Sequence, residues 1–397
     1  MSHLEPYLES FDADPGYLNW ASFGPLSPAV RSDAQADAEL LGAGRTSGID
    51  LVWGRLGEAR ALVAEMLGAS ADDVTLQPST TQGLMHALFG LSGAVLLSPH
   101  EFPSIPVAAR RAADALGRLE VRELAAAVDT VTADAVREAL TDDVTAVAVS
   151  LVDYRTGYLA DLPAIREAIG DRLLIVDAVQ AVGVVDVDWA AADVVCGNGY
   201  KWLRAGRGTG FAWFSPRARE RIEPVLSGYA GMVGELGDLE VGPPRPGADA
   251  YAISPVDPVN AGRLAVALRE VRDAGAAQVA ARVADQAARV MAAADAAGIP
   301  VLTDRTRHAG IVALAPEARH TGAIAAALIN NGLTVTVRGD LIRIAAHAGT
   351  PTDTVRRLSD AFAEAAAITP PPAVVDLAPL DAMAMPIDLD PPARAES

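Results

Sequence analysis

The stretch "LLIVDAVQAVG", residues 173–183, sets four aliphatic residues against one carboxylate. Leu173 to Val176 show no polar alternation, so the run reads as a strand buried on both faces. That is what a mostly parallel sheet covered by helices on each side requires. Asp177 then emerges at the strand's end in apolar surroundings, where a lone charge is costly and a cationic or protonated partner is needed. An aspartate that only caps the next segment is the plainer alternative. Gln180 follows three residues on and is placed to reach a neighbouring acceptor.

Similar apolar runs lie at 94–97, 119–124, 146–151, 194–196 and 211–214, with helical segments such as "LPAIREAIGD" between them. Apolar spacing over 30–68 reads as amphipathic helix. "DDVTLQPSTTQGLMHALFGL" reads as a short strand, a polar turn at 78–82 and a helix starting near Gly83. The expected organisation is an N-terminal segment at 1–29 lining a site, a large α/β domain at 30–235 and a linker or active-site loop at 236–258. A smaller α+β domain at 259–367 follows, with helices near 259–297 and 351–367 and strands near 309–314 and 333–345. Residues 368–397 hold seven prolines and read as a flexible or surface-wrapping tail.

A net charge of −19 argues against nucleic acid and anionic membranes, which are bound by an excess of Lys and Arg. Cys196 is the only cysteine, so no intrachain disulfide forms. No apolar leader or uncharged apolar stretch of spanning length is present, and a cytoplasmic, non-membrane address is expected.

Three more stations accompany Asp177. Lys201, in "CGNGYKWLRAGRGTG" (196–210), is the chain's one lysine; every other Lys or Arg position is arginine. An arginine keeps its charge, whereas a lysine whose pKa falls on burial can form a Schiff base with an aldehyde. "PSTTQG" (78–83) offers hydroxyls and helix N–H groups to an anion, although N-capping alone explains such a sequence. Arg343, in "GDLIRIAAHAG" (339–349), sits inside an apolar strand where its planar fork suits a carboxylate or an acidic side chain of the protein. Arg204, Arg207 and Arg338 read as surface or phosphate-loop residues, and His347 as a surface histidine rather than a side-chain reader.

In this order, "STTQG", "EFPS", "D-x-x-Q" and "GYKWL", after an opening "YLNWASFGPLSPAV", resemble the pyridoxal-phosphate enzymes of the class V aminotransferase superfamily. That group includes cysteine desulfurases, kynureninases and isopenicillin-N-epimerase-like proteins. The resemblance runs over roughly 17–367 and implies a fold-type I architecture, a seven-stranded-type sheet sandwiched by helices with a smaller C-terminal α+β domain, and pyridoxal 5'-phosphate as cofactor. It implies that Thr80 and Thr81 hold the phosphate with help from Asn198 and Tyr200, and that Phe102 stacks on the ring. Asp177 would pair with the ring nitrogen, Gln180 would bond the ring hydroxyl, and Lys201 would carry the cofactor and remove the Cα proton of a small L-amino acid. Arg343 would clamp the substrate carboxylate beside Asn19 and Ser22.

The implied chemistry is transamination, C–S or C–C lysis, or epimerisation, in a homodimer. No cysteine follows position 196, so typical desulfurase chemistry is not expected, and Ser254 stands near where the family's cross-dimer "GT" would be. Two other readings stay open. Gly206, Gly208 and Gly210 suggest a nucleotide-binding oxidoreductase, but they precede a strand rather than a helix. A silent cofactor-binding regulator on the same fold is the other.

Overall fold

The computed structural model describes residues 4–234, 237 and 240–367. The chain enters through α1 (Leu4–Glu9), α2 (Pro28–Gly42), α3 (Thr46–Trp53) and α4 (Arg55–Leu67). The single helical pattern expected over 30–68 is thus three helices. Gly44 takes a left-handed φ of 64° between the first two, and the backbone turns again at Gly54.

Seven strands form one sheet: β1 (Val74–Gln77), β2 (Gly93–Leu97), β3 (Leu119–Glu123), β4 (Val144–Ser150), β5 (Leu173–Asp177), β6 (Val194–Asn198) and β7 (Gly210–Phe214). Their order is β1-β7-β6-β5-β4-β2-β3. Only β7 runs antiparallel to its neighbours. The connections are α5 (Thr80–Gly90), α6 (Ser104–Leu116), α7 (Ala133–Ala139) and α8 (Leu162–Ile169), with α9 (Pro216–Arg221) after β7.

Alternation along the strands builds two cores. Leu174, Val176 and Val195 join the core shared with α4, α8 and α10 (Pro258–Ala274), while Leu173, Ile175 and Cys196 join the one under α5 and α6. Each aliphatic side chain buried this way contributes about 1.5–3 kcal/mol relative to exposure. Gly83 lets α5 lie on the sheet, because a Cβ there would meet Cys196 Sγ at 3.0 Å and Ala212 Cβ at 3.1 Å. That close approach brings the N-terminus of α5 to the C-terminal end of the parallel strands.

The helix expected over 259–297 is split by Gly275 (φ 87°) into α10 and α11 (Ala276–Ala296). A second sheet, ordered β8-β10-β9, joins β8 (Ile311–Leu314), β9 (Thr336–Arg338) and β10 (Leu341–Ala345), all antiparallel. It packs with α11, α12 (Ala318–Asn330) and α13 (Thr352–Ala367) around Val312, Ile342 and Phe362. The proline-rich stretch 368–397, position 235, and positions 236, 238 and 239 of the expected loop lie outside the described residues. Among the described residues no helix is long and apolar enough to cross a membrane.

Candidate active site

Lys201 sits in the turn that leaves β6. Asn198 Oδ1 accepts from the Tyr200 N–H at 3.1 Å and from the Thr209 hydroxyl at 3.2 Å, which closes the turn on itself. Its amide nitrogen lies 3.5 Å from the Pro78 carbonyl. Asn198 therefore shapes the lysine turn and ties it to the α5 entrance. On the other side, Gly24 N–H donates to the Tyr200 carbonyl at 2.9 Å. A Cβ on Gly24 would stand 1.8 Å from the Lys201 carbonyl oxygen, so only glycine fits there.

The lysine side chain is 6% exposed, with Nζ 5.4 Å from the Tyr200 ring centroid and 5.9 Å from that of Phe102. Burial lowers its pKa from 10.5 to about 8 against the attraction of Asp177, and Arg343, Arg207 and Arg338 push in the same downward direction. The amine is thereby available as a nucleophile and as a base near neutral pH.

Asp177 ends β5 opposite Ser150 on β4 and Cys196 on β6. Its Oδ1 accepts from the Val179 N–H at 3.0 Å, and no arginine pairs with it among the described residues. Burial raises its pKa from 3.8 to about 6, opposed by that N–H and by Lys201. A cationic N–H placed against this carboxylate would hold it ionised. Gln180 is partly committed within the protein. Its Nε2 donates to the Ala21 carbonyl at 3.0 Å and its Oε1 accepts from Trp202 Nε1 at 2.9 Å, leaving one amide hydrogen for a ligand.

Ser79 caps α5, accepting from the Gln82 N–H at 3.2 Å, so the helix begins three residues before Gly83. The polar residues expected in a turn are its first turn instead. Thr80 Oγ1 is buried without a partner, and Thr81 Oγ1 lies 2.7 Å from Ser104 Oγ. Free N–H groups, an orphan hydroxyl and the positive end of the helix make a cradle that fits a phosphate.

Arg343 lies on β10 and is 5% exposed. It donates to the Tyr154 carbonyl and to Ser22 Oγ, each at 2.7 Å, while Nε is buried without a partner. No carboxylate pairs with it among the described residues, so the alternative of a structural ion pair is not met. Burial, with the Arg338 charge, lowers its pKa from 12.5 to about 10. Thr336, opposite Arg343 in register, donates to Asn19 Oδ1 at 2.7 Å and lies 3.2 Å from Ser22 Oγ. Phe102 meets Tyr154 edge to face, ring centroids 5.2 Å apart, with Lys201 Nζ 5.9 Å from the Phe102 ring centroid.

Two expectations fail. Arg204 is buried, stacked on Phe11 at 4.0 Å and on Tyr7 at 4.9 Å, and it takes a φ of 59° that, among the described residues, no other non-glycine shares on the positive side. His347 is buried rather than at the surface: Nδ1 accepts from the Ala348 N–H at 2.7 Å, so Nε2 donates to the Trp202 carbonyl at 2.8 Å. Burial lowers its pKa to about 3, so it stays neutral. Both lie beneath the lysine turn because α1 and the segment after β10 fold over Trp202. Tyr154, Thr336 and Glu101 were not singled out in the sequence. Thr336 was within reach of pairing logic, since a strand beside Arg343 must place some residue opposite it.

The family profile described as Aminotransferase class-V matches residues 54–363, well over half of the chain. The chain belongs to the aminotransferase class-V family. A kynureninase of Deinococcus radiodurans is 34% identical over 203 residues, 49% of this chain and 48% of that protein. A kynureninase of Burkholderia mallei is 28% identical over 252 residues, covering 57% and 58%. The chain thus spans about half the length of the curated relatives it matches.

Among solved structures, a C-DES mutant with glycine covalently linked to its PLP cofactor superposes with a TM-score of 0.80 at 18% identity, covering 92% of this chain and 99% of that one. Apo cysteine desulfurase from Thermococcus onnurineus superposes at 0.76 and 18% identity, covering 87% and 92%. These likenesses bear on the fold. The cofactor linked to glycine in that C-DES structure is PLP. The unpaired carboxylate, the orphan Thr80 hydroxyl and the buried amine fit that group. Gly210 opens β7 rather than a helix, so the glycine run is no dinucleotide fingerprint.

Proposed function

We propose that this chain transforms a small L-amino acid, with Lys201 as both the anchor of the cofactor and the base at the substrate Cα. Pyridoxal phosphate supplies an electron sink when bound. Asp177 keeps a cationic ring nitrogen charged at the sheet end, and the first turn of α5, with Thr80 and Thr81, receives the phosphate. Phe102 lies against the ring face and, with Tyr154, limits water. Arg343 takes the substrate carboxylate, held in place by Ser22 and Tyr154, while Asn19 fixes Thr336 beside it. Lys201, tethered in the same pocket, takes up and returns the proton.

The single observation that carries this reading is that the chain's only lysine is buried beside an unpaired aspartate and faces an unpaired arginine. The outcome is transamination, epimerisation or C–C or C–S lysis, and the kynureninase relatives support the lyase arm. Cys196 is fully buried with its thiol pKa raised by burial, which speaks against persulfide transfer through it. The same reading includes a cytoplasmic homodimer.

The test is a panel of L-amino acids added to the cofactor-loaded enzyme. Transamination appears as loss of cofactor absorbance that a 2-oxo acid restores. Lysis appears as released ammonia, thiol or side-chain product with absorbance retained, and epimerisation as a D-amino acid. Absence of any spectral change or product across the panel would overturn the proposal.

A further inference from the structure

Beside Arg343 lies a cavity of about 220 Å³ lined by Tyr154, Arg155, Thr336, Arg338, Leu341 and Arg343 itself. Three of these six side chains are guanidinium groups, and they are not equivalent. Arg155 is neutralised by Asp153 at 2.8 Å. Arg338 makes no ion pair and no side-chain hydrogen bond among the described residues; Asp340, two positions on, does not pair with it. Arg343 likewise has no carboxylate, and its Nε is buried and unpartnered. In a chain with net charge −19, where acids are available almost everywhere, this cavity keeps two cations without a counter-ion.

Their placement is set by the hairpin. In the β9–β10 register Thr336 faces Arg343, and Arg338 faces Leu341. Thr336 and Arg338, two apart on one strand, share a face, so Arg338 is the diagonal neighbour of Arg343, with Cβ atoms roughly 7–8 Å apart. The two charges sense each other, since Arg338 lowers the pKa of Arg343, and an anion between them would relieve both. Tyr154 stands beside the pair, its ring 6.0 Å from the Arg338 guanidinium carbon. One α-carboxylate satisfies Arg343 and leaves Arg338 uncompensated, in a cavity open enough for a side chain.

We infer that the substrate is an acidic amino acid, its α-carboxylate on Arg343 and its side-chain acid on Arg338. This rests on the amino-acid reading above and names the class of substrate for it. Arg338 is then a specificity-determining residue. It is exposed at the cavity rim, so replacing it leaves the packed interior unchanged.

The experiment compares the cofactor-loaded enzyme with its Arg338→Gln variant. Dissociation constants for L-aspartate against L-asparagine, and for L-glutamate against L-glutamine, are read from the absorbance change. Succinate against butanoate, read by thermal shift, gives a readout independent of turnover. At least one acid is expected to bind about tenfold tighter than its amide, and Arg338→Gln should bring that ratio to about one with the amide moved less than about twofold. Succinate should stabilise the parent and not the variant. Equal or tighter binding of the amides, or a ratio unmoved by Arg338→Gln, overturns the inference. So does a variant that loses pyridoxal phosphate while keeping the ratio, since Arg338 would then serve the cofactor. If amides bind and acids do not, only the acidic-substrate inference fails. If neither acids nor amides perturb the cofactor while another L-amino acid does, again only this inference fails; silence across the full panel of L-amino acids fails the amino-acid reading and this inference with it.

Discussion

The guanidinium of Arg343 donates to the hydroxyl of Ser22 at 2.7 Å, joining β10 to the N-terminal segment that also covers the lysine turn. Two stretches 321 residues apart in sequence thus meet at the proposed carboxylate clamp. Arg343→Lys keeps a charge and loses the fork, so kcat/KM for the amino acid should fall about 100-fold, carried mainly by KM. Ser22→Ala removes one restraint on the fork and should raise KM several-fold with kcat little changed. Steady-state kinetics on both variants check this, and an Arg343→Lys enzyme with parental KM would remove Arg343 from the clamp.

Burial of Lys201 also has a stability signature. Its folded pKa, about 8, lies below the ordinary 10.5, so between these values the unfolded chain binds more protons than the native one. Stability of the cofactor-free protein should therefore rise with pH across that window and be lost as pH falls through about 8. Asp177 and Glu101 act in the opposite sense. Their folded pKa values, about 6 and about 7, lie above the ordinary 3.8 and 4.5, so their contribution is present at acid pH and lost as pH rises through those values. Urea unfolding as a function of pH, with Lys201→Met flattening the alkaline slope only, is the measurement.

Arg204 holds the other side of the lysine turn. Its left-handed backbone costs about 1–3 kcal/mol and persists because the side chain is clamped by Phe11, Tyr7, the Ser10 carbonyl and hydroxyl, and Glu270 at 3.6 Å. Arg204→Ala leaves Glu270 with the Ser27 hydroxyl but no counter-charge and frees α1, and should destabilise by about 3 kcal/mol. Denaturant midpoints give the value. Arg204→Gly relieves the backbone but loses the same clamp, so it too should be destabilised; parental stability in either variant would show that the clamp does not hold the turn.

Much of this arrangement was legible in the sequence because strong local rules agreed there. The strand ending in Asp177 follows from an unbroken aliphatic run, and the placing of Lys201 from its being the only lysine. Side-chain commitments were not legible, because they depend on what folds over a residue. Asn198 and Gln180 are tied up by Thr209, Trp202 and Ala21, none adjacent in sequence. His347 and Arg204 read as polar surface residues until α1 closes over them with Tyr7 and Phe11. The α5 start was misplaced because Ser79, Thr80 and Thr81 look alike as a string, and only the backbone shows which one caps.

Cys196 sits under α5 with Gly83 packed on its sulfur, fully buried. Cys196→Ala removes only a buried thiol, so turnover should stay within about twofold of the parent with a small loss of stability. A large loss of kcat with the fold intact would give this sulfur a chemical role.

In the proposed function Lys201 carries the cofactor. Borohydride reduction of the pyridoxal-phosphate-loaded protein, followed by mass mapping of peptides, tests it most directly, because no other lysine exists to take the label. One phosphopyridoxyl group on the peptide containing Lys201, absent from Lys201→Ala of unchanged circular dichroism, is the expected result. An unlabelled Lys201 peptide, or a label found elsewhere in the chain, would contradict it.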